Sequence, residues 1–480
     1  MSSEPAGSRA SSTSPASSAS SASLMSPAPR ALPGRSPVSV ALSLARSGRV
    51  PGPRFPAGPQ TTPWPAPALP VPGPLDRLLR RSLAGGRLRP AASAGALHPV
   101  NAHLLLGAGT GLPPGRYAYQ PVTHRLHPRG AVDGNVPPGA LAVLTVTARR
   151  TVSQYGHRGW PLLLLDTGHA AAALVLAGAP AWCPDADGAL LAAAAGLPSG
   201  RCGEHALAAV RLTPGPEDAL AWWAARPPGA PPPPDAHPAP PVLRDAWDVL
   251  DALTAPARGR AVPAARRRGG APYPDAVWRA PGAAVPPEAG TGPNGAEAGP
   301  DGAEAGPDGA EAVAARRSAQ PPFPGVPDET RLAAVARAAA AAAAAAHPPR
   351  GRATGAPAGA TAGATATTAG PALAWDLVRA DAPGAPRRAE DLARRAAGQA
   401  WLTRTGALLL AHGCPDDAGP AHVRHAHLTA GYAVGAAQAT AARLGLASRP
   451  VGSWQHGPGG PAHLVHALAL GTATEGNSPR

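Results

Sequence analysis

The stretch 149–169 reads RRTVSQYGHRGWPLLLLDTGH. It gathers Arg149, Arg150, Gln154, Tyr155, His157, Arg158, Asp166 and His169 in a chain otherwise dominated by Ala, Pro and Gly. His titrates near neutrality and can move protons. A Tyr phenol can do so where its surroundings shift its pKa. Arg adds permanent charge and planar donors. A second segment, RPAASAGALHPVNAHLLL at 89–106, sets Ser93, Ala94, Gly95, Ala96, Leu97 and His98 in a turn before a strand. Small residues there let backbone amides approach a planar ring or a phosphate closely, and Ser93 can donate to a ring oxygen or a hydroxyl; an ordinary turn is the competing reading, as packing is for His98. A third run, Arg316-Arg317-Ser318, supplies donors suited to phosphate. The similar Arg80-Arg81-Ser82 falls at a helix end and reads as structural.

The elements that must position these residues alternate between strand and helix signals. LDRLLRRSLA is helical; NAHLLLG, RYAY and HRLH form a strand meander; ALAVLTVTA and EHALAAVRL are strong strands. DTGHAAAALVLAGA reads as a helix with Asp166 as its N-cap, which makes His169 a packing residue at a helix start. The second half repeats this order: a helix at AEDLARRAAGQ, a strand at GALLLAHG, a long helix at VRHAHLTAGYAVGAAQATAARLG and a last strand at AHLVHALALG. In that long helix His422 and His425 share a face, but with His427 they lack a third ligand at sensible spacing, so no metal is expected. Trp182, Trp222 and Trp223 read as core or interface anchors. The layout is α+β. Residues 1–35 read as a disordered tail and 36–74 as a Pro-rich extension with one helical fragment, VALSLARSG. Folded blocks span 75–214 and 313–474, joined by a Pro-rich linker with GPxGAEA repeats at 215–312 and interrupted by a low-complexity insertion at 350–370.

Composition bounds the function. The chain has 480 residues, a formal charge of +14, no Lys and no Ile. That bias fits a GC-rich coding sequence, and the arginines are spread thinly, so nucleic acid is not the expected partner. Cys183, Cys202 and Cys414 are far apart and show neither disulfide nor zinc spacing, which fits a reduced cytoplasm. No secretory signal or uninterrupted apolar span is expected.

The string from SAGALHP through GLPPGRYAYQPVTHRLHP resembles the flavin loop and hairpin of the SagB-type dehydrogenases, a branch of the nitroreductase family. The order Arg150, Gln154-Tyr155-Gly156, Arg158-Gly159 and LLDTGH continues the resemblance over about 120 residues, 89–212. In the second half ARRSA, AGQAWL, HLTAGYAVGAAQATAARLGL and RPVGSW resemble nitroreductase elements. The resemblance implies a nitroreductase-like mixed sheet flanked by helices, in two tandem units. It implies FMN, contacted by Ser93, Gly95, Ala96, Leu97 and His98 and by Arg316, Arg317 and Ser318. It also implies oxidation of peptide thiazolines and oxazolines to azoles beside a YcaO-type cyclodehydratase, in a homodimer or an internal pseudo-dimer. Where that family carries a catalytic Lys-Tyr pair, this chain has Gln154-Tyr155, and Gln is no base. Tyr155 with its pKa lowered by Arg150 or Arg158, His157 in its place, or a unit that has lost activity all remain open.

Overall fold

The computed structural model describes residues 36–65, 67–198, 203–235, 237–255, 277–280, 318–347, 372–456 and 463–472. The tail, the repeats, the insertion, Cys202, Arg316 and Arg317 lie outside the described residues.

Strand-forming residues, in most strands buried at nearly every position, build the larger sheet. Its strands are β1 (Leu69–Pro70), β2 (Val100–Leu106), β3 (Gly115–Gln120), β4 (Arg125–Ala131), β5 (Ala140–Thr147), β6 (Ala181–Cys183) and β7 (Glu204–Arg211). Their order is β1-β4-β3-β2-β5-β7-β6, and each ladder is antiparallel. Both faces are covered. Leu104, Leu106, Leu144 and Val146 point into the main core, while Leu105, Leu141 and Val143 meet Trp223 and two short helices on the other side. The second sheet runs β10-β11-β9-β8, also antiparallel, from β8 (Ala374–Arg379), β9 (Ala407–His412), β10 (Ala447–Val451) and β11 (Leu464–Gly471). Leu408 and Leu410 face one core there, Leu409, Leu468 and Leu470 another.

The helices are α1 (Pro37–Ala45), α2 (Gly73–Ser82), α3 (Ala148–Tyr155), α4 (Gly159–Leu176), α5 (Gly188–Ala194), α6 (Ala219–Ala224), α7 (Pro241–Thr254), α8 (Glu329–Ala346), α9 (Ala385–Arg395) and α10 (Pro420–Arg443). In α2, Arg80 forks onto Asp76 and the Ser82 hydroxyl donates to Leu78 O, so that run is structural. α7 falls in the stretch expected to be a linker; its 3.6-residue stripe of Leu243, Ala246, Leu250 and Leu253 is buried in the main core. Pro-rich flanks had masked it.

The two sheets are joined through α4 and α10. A Cβ on Gly168 would stand 2.3 Å from Leu428 O, and one on Gly431 2.2 Å from Leu165 O. The helices therefore cross backbone to backbone, which explains both glycines. Beside the crossing Trp182 stacks on Tyr432 with centroids 4.4 Å apart. Residues 148–176 are long and apolar enough to cross a membrane by composition, but the apolar 18-residue window within them is 94% buried inside the protein, as in a core helix.

Asp166 is not an N-cap. α4 starts seven residues earlier, at Gly159, because the run WPLLLL is already helical and buried. His169 is likewise mid-helix and buried, with Nε2 2.9 Å from His466 Nε2 of the second sheet. A Gly168→Ala variant should lose about 3 kcal/mol of stability, since neither backbone can retreat from the added methyl; chemical denaturation of the purified variant measures this.

Candidate functional site

The chemical segment turns out to serve two different ends. Its arginines are structural clamps, Arg149 mainly on residues 235–238 and Arg150 and Arg158 on the chain before α2. Arg149 is 3% exposed; it pairs with Asp235 and donates to His237 O at 2.8 Å and Pro238 O at 3.0 Å. Arg150, equally buried, donates to Pro59 O at 3.1 Å, His98 O at 3.0 Å and Asn101 Oδ1 at 3.1 Å. Arg158 reaches Arg49 O at 2.5 Å. Gly156, at φ 53°, lets the chain turn out of α3 where a Cβ would lie 2.0 Å from Pro51 O. The segment 46–65 is thus strapped over α3. Carbonyls are good acceptors for a buried guanidinium because these hydrogen bonds are charge-assisted.

Tyr155 points the other way, to the 93–98 loop. Its Oη would lie 3.0 Å from a Cβ on Gly95. The loop makes one 3-10 turn with Gly95 at φ 61°, Ala96 at 54° and His98 at 45°. Gly95 is exposed and Ser93, Ala94, Ala96 and Leu97 are half-buried. The Ser93 hydroxyl donates to Asp166 Oδ2 at 2.7 Å and accepts from His98 N at 2.9 Å; Ala94 N donates to Asp166 Oδ1 at 3.0 Å. His98 is buried, with Nε2 2.8 Å from Arg87 O. Beneath the loop Leu83, Ser93, His98, Tyr119 and Asp166 line a cavity of about 20 Å³, room for about one water.

The electrostatics reverse one expectation. Burial and the Asp166 carboxylate raise the Tyr155 pKa, against smaller opposing pulls from Arg449 and Arg54. The cations that act on it are Arg449 and Arg54, not Arg150 or Arg158. His157 is half-buried, with Nε2 making no hydrogen bond among the described residues; burial, Arg158 and Arg49 depress its pKa. Its charged neighbours are on the strap side of the turn. Gln154 is exposed. Burial pushes the Asp166 carboxyl up to about 7, and only Ser93 and the Ala94 amide favour its charged form.

The second half reaches the same neighbourhood. Ala319 N donates to Ser448 O at 2.9 Å and Ala319 O accepts from Arg449, so the residue after Ser318 lies against β10. Arg449 and Asp166 are the two site residues that sequence reasoning passed over. RPVGSW was noticed as a string and Asp166 as a cap; only the long-range packing shows that both act on Tyr155. The histidines of α10 go elsewhere: His425 Nδ1 is 2.9 Å from Asp185 Oδ1, His422 Nε2 2.8 Å from Gly413 O and His427 Nδ1 2.8 Å from Val423 O. No group of three or more potential metal ligands occurs among the described residues.

No family model matches the sequence, and no curated protein matches it. Among solved structures, a protein from Anabaena variabilis ATCC 29413 described as a nitroreductase superposes with a TM-score of 0.59 at 14% identity, over 91% of this chain and 99% of that one. The chain therefore has the nitroreductase fold, and the α+β layout expected from the sequence is the one observed. Two other structures overlay on about a third of the chain. The Escherichia coli microcin synthetase McbBCD complex with truncated pro-MccB17 gives a TM-score of 0.26 at 17% identity, covering 35% of this chain and 71% of that one. A protein from Ralstonia eutropha JMP134 described as a nitroreductase gives 0.23 at 18%, covering 34% and 94%. Overlays this loose carry no weight for function.

A carboxyl whose folded pKa is raised stabilises the fold below its unfolded value and loses that contribution as pH rises through the folded value. Asp166→Asn removes the titration. Its melting temperature relative to the parent should therefore climb between about pH 4 and about pH 7, and level off above; thermal melts across that range check the sign.

Proposed function

We propose that the protein is an FMN-dependent oxidoreductase that dehydrogenates peptide azolines to azoles. The observation that carries this reading is the meeting of the 93–98 loop with Tyr155, at the positions the SagB-type resemblance assigns to flavin binding and catalysis, in a chain with the nitroreductase fold. FMN suits the residues present. The loop offers exposed backbone at Gly95, where a side chain would collide with Tyr155 Oη. The cavity beneath is too small for a flavin ring, so FMN would meet the loop on its exposed side. Ser93 is already bonded to Asp166, and its part is to shape the loop. Arg316, Arg317 and Ser318 would hold the phosphate, with the residue after Ser318 lying against β10. Bound FMN would supply the hydride acceptor.

The azoline ring must lose a proton from one carbon and a hydride from its neighbour, leaving a new ring double bond. Tyr155 is the residue of this chain set to handle the proton. Its raised pKa makes it a phenol at neutral pH, so to take the ring proton it would hand its own hydroxyl proton to solvent. His157 is neutral but turned to the strap. A YcaO-type cyclodehydratase would supply the azoline peptide, and the two halves would form an internal pseudo-dimer.

Purified protein should carry releasable FMN, and an azoline peptide should lose the mass of two hydrogens per ring. Tyr155→Phe should lower turnover by about 100-fold or more while retaining flavin; His157→Gln should stay near the parent. Brisk NAD(P)H oxidation with a nitroarene or quinone and no change in any azoline would replace this reading with that of a general reductase.

A further inference from the structure

Asp166 lies mid-way along α4, two residues from the Gly168 crossing, and is 3% exposed. Its backbone cannot shift without separating two packed helices. Its carboxylate ties the loop at Ser93 and Ala94, and the Ser93 hydroxyl passes the tie on to His98 N. Both ends of the six-residue loop thus depend on one side chain. Between the ends the backbone is strained. Ala96 and His98 are left-handed without being glycine, at a cost of about 1 kcal/mol each. Such conformations persist only where their surroundings over-determine them. On the far side of the loop Tyr155 Oη rests against Gly95.

This arrangement is not explained by stability. The charge is held by a hydroxyl and an amide, with no cation among the groups that stabilise it, and an isolated buried carboxylate costs the fold. A cost retained at a single loop marks a residue kept for what the loop does.

We infer that Asp166 is the positioning residue of this site: through Ser93 and Ala94 it holds the 93–98 loop in its strained shape and so fixes where Gly95 meets Tyr155. The inference rests on the loop and Tyr155 forming one site, as proposed above, but not on the substrate. Asp166 acts through the loop and, by its charge, on the Tyr155 phenol. The other charges acting on that phenol are Arg449 from β10 and Arg54 from the strap; substitution of Asp166 leaves both in place.

The test uses the full chain without added flavin or substrate. Amide exchange over residues 91–99 is followed by mass spectrometry in the parent, Asp166→Asn and Ser93→Ala. The Tyr155 phenol is titrated by ultraviolet difference against Tyr155→Phe. Asp166→Asn should speed exchange at 94–98 by about tenfold or more with α4 unchanged, and should move the phenol's midpoint down, because a nearby negative charge is gone. Ser93→Ala should speed loop exchange but leave the midpoint high. Asp166→Glu should restore the high midpoint without restoring loop protection. Parent-like exchange in both Asp166→Asn and Ser93→Ala overturns the inference, as does an unmoved midpoint in Asp166→Asn. If Asp166→Asn does not fold, loop exchange in Ser93→Ala decides. Because no readout needs flavin or turnover, a protein that never binds FMN would sink the proposed function and leave this result standing.

Discussion

The contact on which the structure hangs is the crossing of α4 and α10. Two glycines let the helices touch backbone to backbone, and no side chain, however small, could replace either without displacing a main-chain carbonyl. Each helix carries one sheet: α4 lies under the seven strands and α10 under the four. The crossing therefore sets the spacing of the two halves, and everything that spans them follows. Trp182 reaches Tyr432, His169 reaches His466, and buried Arg424 donates to Ala186 O and Leu207 O across the seam. Arg449 comes within electrostatic reach of Tyr155 by the same route.

Charge is buried in two manners. Several buried arginines are served by carbonyls. Arg116 donates to Ala194 O, Trp223 O and Pro227 O at 2.6–2.8 Å, and Arg150 donates to Pro59 O of the strap. Glu204 is buried with His103 and Thr145 as donors, and despite burial the charge of His103, then the hydrogen bonds from His103 and Thr145 and the nearby Arg150, hold its carboxyl at about 2. Each of these satisfies itself and stiffens the fold. Asp166 is different: burial wins over its two hydrogen bonds, and its carboxyl is driven up to about 7. The contrast between Glu204 and Asp166, two carboxylates in one domain, separates the group that stabilises from the group that costs.

Much of the fold was legible because its elements are long and strongly patterned. β2, β5, β7, β9, β11 and α10 stand where their apolar runs put them. The elements not read include the short or disguised ones, three-residue β6, seven-residue α5, six-residue α6 and α7 behind its proline flanks, and, in the second half, β8 and the alanine-rich α8. The site was half legible. SAGALHP and QYG could be read as one constellation, since each is a compact string. The roles of Arg150, Arg158 and Asp166 could not. A guanidinium looks the same on paper whether it will meet a phenol or the carbonyls of a strap some hundred residues away in sequence. An Asp before a helix-like run looks like a cap unless the preceding WPLLLL is recognised as already helical.

Gln154 stands where the SagB-type resemblance places a Lys, but position 154 is exposed and adjacent helix residues do not face each other, so its side chain is not what sets the Tyr155 phenol. The balance is set by burial and Asp166, both of which favour the neutral phenol, against the weaker pulls of Arg449 and Arg54. Asp166 is itself pushed toward its neutral form by burial, so a phenol and a carboxyl, both with raised pKa, lie on either side of one strained loop. The feature that looks like a loss in the sequence, Gln154, is exposed and outside that pair.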